Sequence, residues 1–217
     1  MEIERQFKKP TGKLATDIAI HMNKHHHALT SWALTNVDFS PNFTVLDVGC
    51  GGGLMISMLS KKIPEGKIFG IDYSKEMVKY STDFNRQLIL QNRVEIKEES
   101  VEKMSFSDNS FDVVTAVETY YFWPSFEQGL NEIKRVLKDN GQLIIVSELI
   151  KDGTQEIRNA KMLREKNANL ISLDEMKKTM QNVGFKRVQS FRKHSIIDKL
   201  LRRESRFWSV VIGFKSD

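Results

Sequence analysis

The chain has 217 residues, of which 40% are apolar and 28% charged, and its net charge is +5. These proportions fit one soluble domain with a sizeable core, and they exclude a disordered tail, a collagen and a disulfide-stabilised mini-protein. The single cysteine, Cys50, excludes an intrachain disulfide and any zinc site that needs two cysteines from this chain. Because the first residues carry acids without a following apolar run, and no apolar stretch approaches membrane-span length, we expect a cytoplasmic protein.

Residues 1–40 form a first segment that differs from the remainder. Apolar residues at helical spacing, from Leu14 through Ile18 to Leu34, predict one or two amphipathic helices with a break at 23–27. We expect this segment to be separate from a second one that spans residues 41–217.

The second segment alternates between strand and helix patterns. Strands are predicted over 43–48, 67–72, 94–97, 110–117, 142–147, 185–191 and 207–214. Helices are predicted between them, over 54–61, 74–90, 125–138, 154–167 and 173–183, with Ser74 as the N-cap of the second and Asn140-Gly141 as the stop signal of the third. This order predicts an α/β fold with a mostly parallel sheet and helices on both faces, in which the last two strands could be antiparallel. A ligand of such a sheet binds beyond the carboxyl ends of the strands.

A glycine-rich loop over 49–53 follows the first predicted strand and opens a helix. Glycines allow the backbone to approach a ligand, and a helix N-terminus offers free N–H groups. Leu54 stands where a dinucleotide fingerprint has its last glycine, which disfavours an NAD enzyme, and no Walker A lysine follows. Asp72 ends the second strand, where a carboxylate can bind ribose hydroxyls. The alternative for Asp72, and for Asp47 before the loop, is a turn residue.

Several runs resemble a known family. VLDVGCGGG at 45–53 and GIDYS at 70–74 resemble motifs I and II of the class I S-adenosylmethionine (SAM)-dependent methyltransferases. VEKMSFSDNSFD at 101–112 and RVLKDNGQL at 135–143 resemble the type 11 subgroup, which includes ubiquinone and menaquinone methylases. The resemblance implies a Rossmann-like fold with a seven-stranded sheet, a helical lid over residues 1–40, and SAM as cofactor, with S-adenosylhomocysteine as product.

The resemblance also implies a role for each matching position. Asp72 would bind the ribose hydroxyls and Tyr73 would pack near the adenine. Ser100 stands where the family commonly has Asp, so its contact with the adenine amine would be weaker than one to a charge. The implied cofactor-binding residues are Asp47, Gly49, Cys50, Gly51, Gly53, Asp72, Tyr73, Ser100, Val101 and Val117.

The segment after the fourth strand is the candidate acceptor side. Glu118 could stabilise the sulfonium or take a proton, and Tyr121 could orient the acceptor, so these two are the candidate catalytic residues. The aromatic residues beside them, over 120–123, could line a pocket or belong to the core. The segment lacks the Asn/Asp-Pro-Pro-Tyr/Phe run of nucleic-acid amine methylases, which disfavours a nucleic-acid acceptor. Glu148, after the fifth strand, also stands at the edge of the sheet where a ligand would bind, although a solvated loop carboxylate is the favoured interpretation.

Four of the five histidines, His21 and those at 25–27, lie in the first segment. No carboxylate or cysteine stands at metal-ligand spacing from them, so we expect a helix-end cluster and no metal site. A single histidine of this run could serve as the base for the acceptor.

The segment 192–206 carries a net charge of +4 with apolar residues at helical spacing. It could be a solvated helix or a surface for an anionic partner.

Taken together, the motifs lead us to expect a SAM-dependent methyltransferase that acts on a small-molecule acceptor. The alternatives are an RNA or protein methyltransferase that docks through this segment, and a non-catalytic SAM-binding module. The acceptor and the oligomeric state, monomer or dimer, stay open.

Overall fold

A computed structural model describes residues 12–151, 168–194 and 207–216. The strands are β1 (Thr44–Val48), β2 (Lys67–Asp72), β3 (Val94–Glu98), β4 (Phe111–Val117), β5 (Leu137–Ser147), β6 (Phe185–His194) and β7 (Phe207–Lys215). The helices are α1 (Ala15–Ala33), α2 (Leu54–Lys62), α3 (Lys75–Phe84), α4 (Arg86–Leu90), α5 (Phe126–Val136) and α6 (Leu173–Val183).

The seven strands form one sheet in the order β3-β2-β1-β4-β5-β7-β6. The pairs among β1 to β5 are parallel, while β7 runs antiparallel to both β5 and β6. The predicted fold, a seven-stranded and mostly parallel sheet, is confirmed, and the last two strands are antiparallel. The strand order reverses between β1 and β4, so the carboxyl ends of these two strands flank the crevice in which such folds bind ligands.

Each face of the sheet carries its own apolar core. Side chains alternate along β1, so Leu46 packs in one cluster and its neighbour Val45 in the other. The first cluster includes Ile133 of α5 and Met176 of α6, whereas the second includes Leu29 of α1. Helix α1 therefore packs against the body of the fold.

Two helix predictions in the first half of the chain were wrong in detail. The predicted break at 23–27 does not occur, because α1 is continuous from Ala15 to Ala33. Buried apolar residues at both ends, Ile18 and Leu29, hold the helix on the fold and override the poor helix propensity of the asparagine and histidines between them. The predicted helix over 74–90 is divided at Asn85, whose side-chain amide donates to the carbonyls of Ser81 and Gly53.

Two boundaries in the second half also differ from the predictions. Helix α5 ends at Val136 and β5 begins at Leu137, so the predicted stop signal at Asn140 lies inside an irregular strand, with Asn140 at φ 61°. Strand β6 continues to His194, so the first residues of the basic segment are strand and not helix. The predicted helix over 154–167 and residues 195–206 lie outside the described residues. Among the described helices, none is long and apolar enough to cross a membrane.

Candidate active site

The glycine loop turns tightly at the carboxyl end of β1. Gly49 has φ 67°, in the left-handed region that favours glycine, and a Cβ there would overlap the Thr119 side chain. Gly51 also has a positive φ, 48°, and faces Met22 of α1. The loop therefore needs glycine both for its conformation and for its close contacts.

Asp72 lies beside this loop at the end of β2, with only 8% of its surface exposed. The Gly51 N–H donates to Asp72 Oδ2 at 2.9 Å, and the Ser74 N–H donates to Oδ1 at 2.9 Å. These two bonds orient the carboxylate at the edge of the glycine loop. Ser74 is also the N-cap of α3, as its position in the sequence predicts.

A cavity of about 180 Å³ opens at the ends of β1, β2 and β4. We call it the nucleoside cavity, after the part of the cofactor that the resemblance implies there. Five residues implied by the resemblance line it: Gly49, Asp72, Tyr73, Ser100 and Val101. The opposite wall contains Phe122 and Trp123. Burial raises the pKa of the Tyr73 hydroxyl, and the charge of Asp72 raises it further.

A second cavity, the lid cavity, lies between α1 and the glycine loop and measures only about 30 Å³. Five predicted residues line it: Asp47, Gly49, Cys50, Gly51 and Val117. Its other wall includes Met22, Asn23 and His26 of α1, which sequence reasoning missed because no local pattern places a helix against a distant loop.

The lid cavity is closed by a direct bond between helix and loop. Asn23 Nδ2 donates to the carbonyl oxygen of Gly52 at 2.9 Å. Gly53, predicted to bind the cofactor, lines neither cavity. Gly53 is the N-cap of α2 and has φ 76°. A Cβ there would overlap Asn85 and Ser81, so Gly53 packs behind the loop, against the end of α3.

Asp47 is fully buried at the floor of the lid cavity. Burial raises its pKa to about 7, although the Thr115 hydroxyl, which donates to Asp47 Oδ1 at 2.7 Å, acts in the opposite direction. The charge of Asp72 raises the value further. Asp47 thus titrates near neutral pH beside the glycine loop.

The two candidate catalytic residues lie together at the end of β4. Tyr121 Oη donates to Glu118 Oε2 at 2.9 Å, and Glu118 Oε1 accepts the backbone N–H of Glu148. Glu118 is 7% exposed and has φ 54°, an unusual conformation for a residue with a side chain. Burial raises its pKa well above the usual range, and the charge of Glu148 adds to this. Neither residue lines either cavity.

The aromatic residues beside this pair divide between core and cavity. Tyr120 is 1% exposed, packs in the core and donates its hydroxyl to the Leu149 carbonyl at 2.7 Å. Phe122 and Trp123 line the nucleoside cavity while their other contacts are with the core. Both sequence-based interpretations of this run therefore apply, to different residues.

Glu148 follows β5 and contacts helix α1. His25 Nε2 lies 2.9 Å from Glu148 Oε1, and the Glu148 side chain is 25% exposed. The interpretation of Glu148 as a solvated loop carboxylate was therefore wrong, because the fold places α1 over the end of β5. The neighbouring His26 is half-buried, and burial lowers its pKa to about 4.

The described start of the basic segment, at the end of β6, packs on β7. The Arg192 guanidinium lies 4.9 Å from the centre of the Phe207 ring, and Lys193 Nζ lies 5.1 Å from that of Trp208. These exposed cations stack on aromatic rings of the neighbouring strand.

Comparisons with known proteins agree with this geometry. Residues 46–145 match the family model Methyltransf_11, described as a methyltransferase domain. Sterol 24-C-methyltransferase erg-4 of Neurospora crassa is 28% identical over an alignment of 172 positions that covers 76% of this chain and 44% of that enzyme. Demethylmenaquinone methyltransferase of Lactobacillus johnsonii is 28% identical over an alignment of 165 positions that covers 66% of this chain and 68% of that enzyme. The chain thus spans less than half the length of the first of these relatives.

A solved structure shows the same fold. A chain in the complex of the Haloferax volcanii Trm112 methyltransferase activator with a methyltransferase superposes with a TM-score of 0.81 at 17% identity. The match covers 93% of this chain and 94% of that chain. At 17% identity, this similarity establishes the fold and says nothing about the reaction.

Proposed function

We propose that the chain is a type 11 class I methyltransferase and that it transfers a methyl group from SAM to a small-molecule acceptor. One observation carries this proposal: Asp72, oriented by two backbone amides, faces a cavity beside a glycine loop at the point where the strand order reverses. This arrangement fits a ligand with ribose hydroxyls.

Each part of the cofactor has residues that would hold it. Asp72 would accept hydrogen bonds from the ribose hydroxyls, while Tyr73, Ser100 and Val101 would surround the adenine. The glycine loop, with Asp47 beneath it, would hold the methionine part. Bound SAM supplies an electrophilic methyl group on a sulfonium, so the protein contributes mainly alignment and the exclusion of water.

Glu118 and Tyr121 would then act by positioning the end of β4. Both carboxylate oxygens of Glu118 already accept bonds from the protein, one from Tyr121 and one from the backbone of Glu148. Glu118 is therefore poorly placed to take a proton from an acceptor. We infer that the pair fixes the chain between Val117, which lines the lid cavity, and the aromatic residues that line the nucleoside cavity.

The acceptor would be a small molecule with an apolar body. The names of two relatives, a sterol methyltransferase and a demethylmenaquinone methyltransferase, support an acceptor of this kind.

The cofactor assignment is tested by calorimetric titration with SAM, once alone and once in the presence of NAD. We expect SAM to bind, and we expect NAD not to compete with it. Asp72→Ala should lower SAM affinity by at least about 100-fold, because each hydrogen bond to a charged group contributes about 1.5–3 kcal/mol. The control is Asp83→Ala, which removes an exposed carboxylate of α3 and should leave the affinity unchanged. Equal SAM binding by both variants would refute the assignment.

A further inference from the structure

The fold brings one carboxylate to two neighbouring histidines of the lid helix. His25 and His26 of α1 and Glu148 after β5 each offer one ligand atom, and these atoms lie within 4.8 Å of one another. We propose that these three side chains bind one divalent transition-metal ion, with Zn²⁺ as the best match. The site requires neither SAM nor an acceptor, so the inference is independent of the proposed function.

The donor set selects the class of ion. Two imidazoles and one carboxylate are the ligands of many catalytic zinc sites, which keep a fourth position open for water or substrate. Imidazole nitrogen suits zinc, copper, nickel and iron, whereas magnesium and calcium prefer oxygen ligands throughout. A set with two nitrogens and one carboxylate therefore favours a transition metal over the alkaline-earth ions.

The present geometry needs only small adjustments. Zinc binds nitrogen and oxygen at about 2.0–2.2 Å, so tetrahedral ligand atoms stand roughly 3.4 Å apart. His25 Nε2 and Glu148 Oε1, which are 2.9 Å apart, would therefore separate slightly, whereas the more distant ligand atoms, all within 4.8 Å of one another, would move closer. The His25 side chain is 48% exposed, which leaves room for this movement.

The surroundings hold the ligands in place from two sides. The Glu148 backbone N–H is bound by Glu118, and the next N–H, that of Leu149, donates to Ser147 Oγ at 3.0 Å. On the helix, the His25 ring stacks on His21 with 6.0 Å between ring centres. An ion at this site would therefore join α1 to the end of β5, and so would fix the lid helix to the sheet.

This inference departs from the expectation drawn from the sequence. The histidine run has no carboxylate at ligand spacing along the chain, and Glu148 lies 123 residues from His25. Only the packing of α1 across the ends of the strands brings the three groups together.

The test uses the full chain, produced without a histidine tag and stripped with a chelator. Zn²⁺ is titrated by calorimetry, and Co²⁺ is titrated by its visible absorption, which reports a low-coordinate nitrogen and oxygen environment. We expect one equivalent to bind and the melting temperature to rise with Zn²⁺. Glu148→Gln and His26→Ala should each weaken binding by at least about 100-fold, since loss of even an outer-shell partner costs 10–100-fold.

The matched control is His27→Ala, which removes a histidine of the same run that lies outside the cluster. It should bind Zn²⁺ as the wild type does. The proposal is overturned if no ion binds, if Glu148→Gln binds unchanged, or if His27→Ala loses binding equally, since the run would then act as a simple chelator. Should Glu148→Gln fail to fold, His25→Ala on the exposed side provides the same test. Because SAM is absent throughout, these outcomes are separate from those for methyl transfer.

Discussion

The two sides of the site are built in different ways. Most of the nucleoside side, namely the glycine loop, the end of β2 and the segment after β3, comes from residues 45–101, and the segment after β4 adds a wall with Phe122 and Trp123. The lid side joins α1 to the ends of β4 and β5, and the contact between His25 and Glu148 spans 123 residues. The first side follows from local motifs, whereas the second exists only once the whole sheet has formed.

The two sides also differ in the space they offer. The nucleoside cavity measures about 180 Å³, but the lid cavity measures about 30 Å³, room for a few water molecules at most. The methionine part of SAM is larger than that, so the proposed function requires α1 to move before the cofactor occupies both cavities. On that proposal, the nucleoside side is preformed and the lid side rearranges.

Gly49→Ala should have the largest effect, because it damages the loop that both sides share. Alanine in the left-handed region costs about 1–2 kcal/mol, and the overlap with Thr119 adds about 1–3 kcal/mol. We expect loss of detectable SAM binding and a clear fall in unfolding free energy. Gly12→Ala is the matched control, since Gly12 has the same φ of 67° and no atom of the described residues lies near a new Cβ. Comparable losses in both variants would contradict the close approach at Gly49.

Asp47→Asn should change how stability depends on pH. The folded pKa of Asp47 is about 7, against 3.8 for an ordinary aspartate. Between about pH 4 and 7 the folded state keeps this proton while the unfolded state releases it, so stability falls as pH rises and is constant above that window. At 1.36 kcal/mol per pKa unit the fall is at most about 4 kcal/mol.

The asparagine variant lacks this titration, so its stability relative to wild type should rise from pH 4 to pH 7. Denaturant unfolding at several pH values measures the difference, and other titrating groups cancel because both proteins contain them. A constant difference across the window would show that Asp47 ionises normally.

Tyr121→Phe removes the hydroxyl that donates to Glu118 and leaves a buried carboxylate oxygen without that partner. We expect a loss of about 1–3 kcal/mol in unfolding free energy. SAM affinity should fall only modestly, because Tyr121 lines neither cavity and acts on them only by fixing the segment between them. Tyr80→Phe, on the outer helix α3, should cost less than about 0.5 kcal/mol. A large loss of SAM affinity with unchanged stability would instead place Tyr121 in the cofactor site.

Asn23→Ala should have the smallest effect on stability, since it removes a single bond between α1 and the Gly52 carbonyl. We expect a loss of about 1 kcal/mol and faster association of SAM, because the helix is then less firmly held over the lid cavity. Asn36→Ala removes a local bond to the Trp32 carbonyl and should not change the association rate. Stopped-flow fluorescence measures the rate, and a slower rate in Asn23→Ala would contradict the need for helix movement.

The contrast between the two sides also explains which features the sequence could predict. Asp72 is placed by its position at the end of a strand, whereas Tyr73, Ser100 and Val101 are implied by the resemblance to the methyltransferase motifs, and the structure brings all four to one cavity. The glycine cluster is equally local, although the pattern did not distinguish Gly53, which packs behind the loop.

The features that the sequence did not predict depend on contacts between distant segments. Asn23 and the histidines at 25–27 are poor helix formers, so a break was predicted where tertiary packing keeps α1 continuous. Glu148 was placed in solvent because nothing near it in sequence indicates that α1 covers it. Helix α5 ends at Val136, two residues before its predicted end at 138, because Leu137 pairs with Phe111 of β4 and this pairing overrides the local stop signal.

Incubation of the purified chain with methyl-labelled SAM and a cell extract tests the central claim most directly. The extract is then separated into small organic molecules, RNA and protein. We predict label in the small-molecule fraction, abolished by Asp72→Ala, with mass spectrometry naming the acceptor. Label in RNA or protein, or none in any fraction despite measured SAM binding, would contradict transfer to a small molecule.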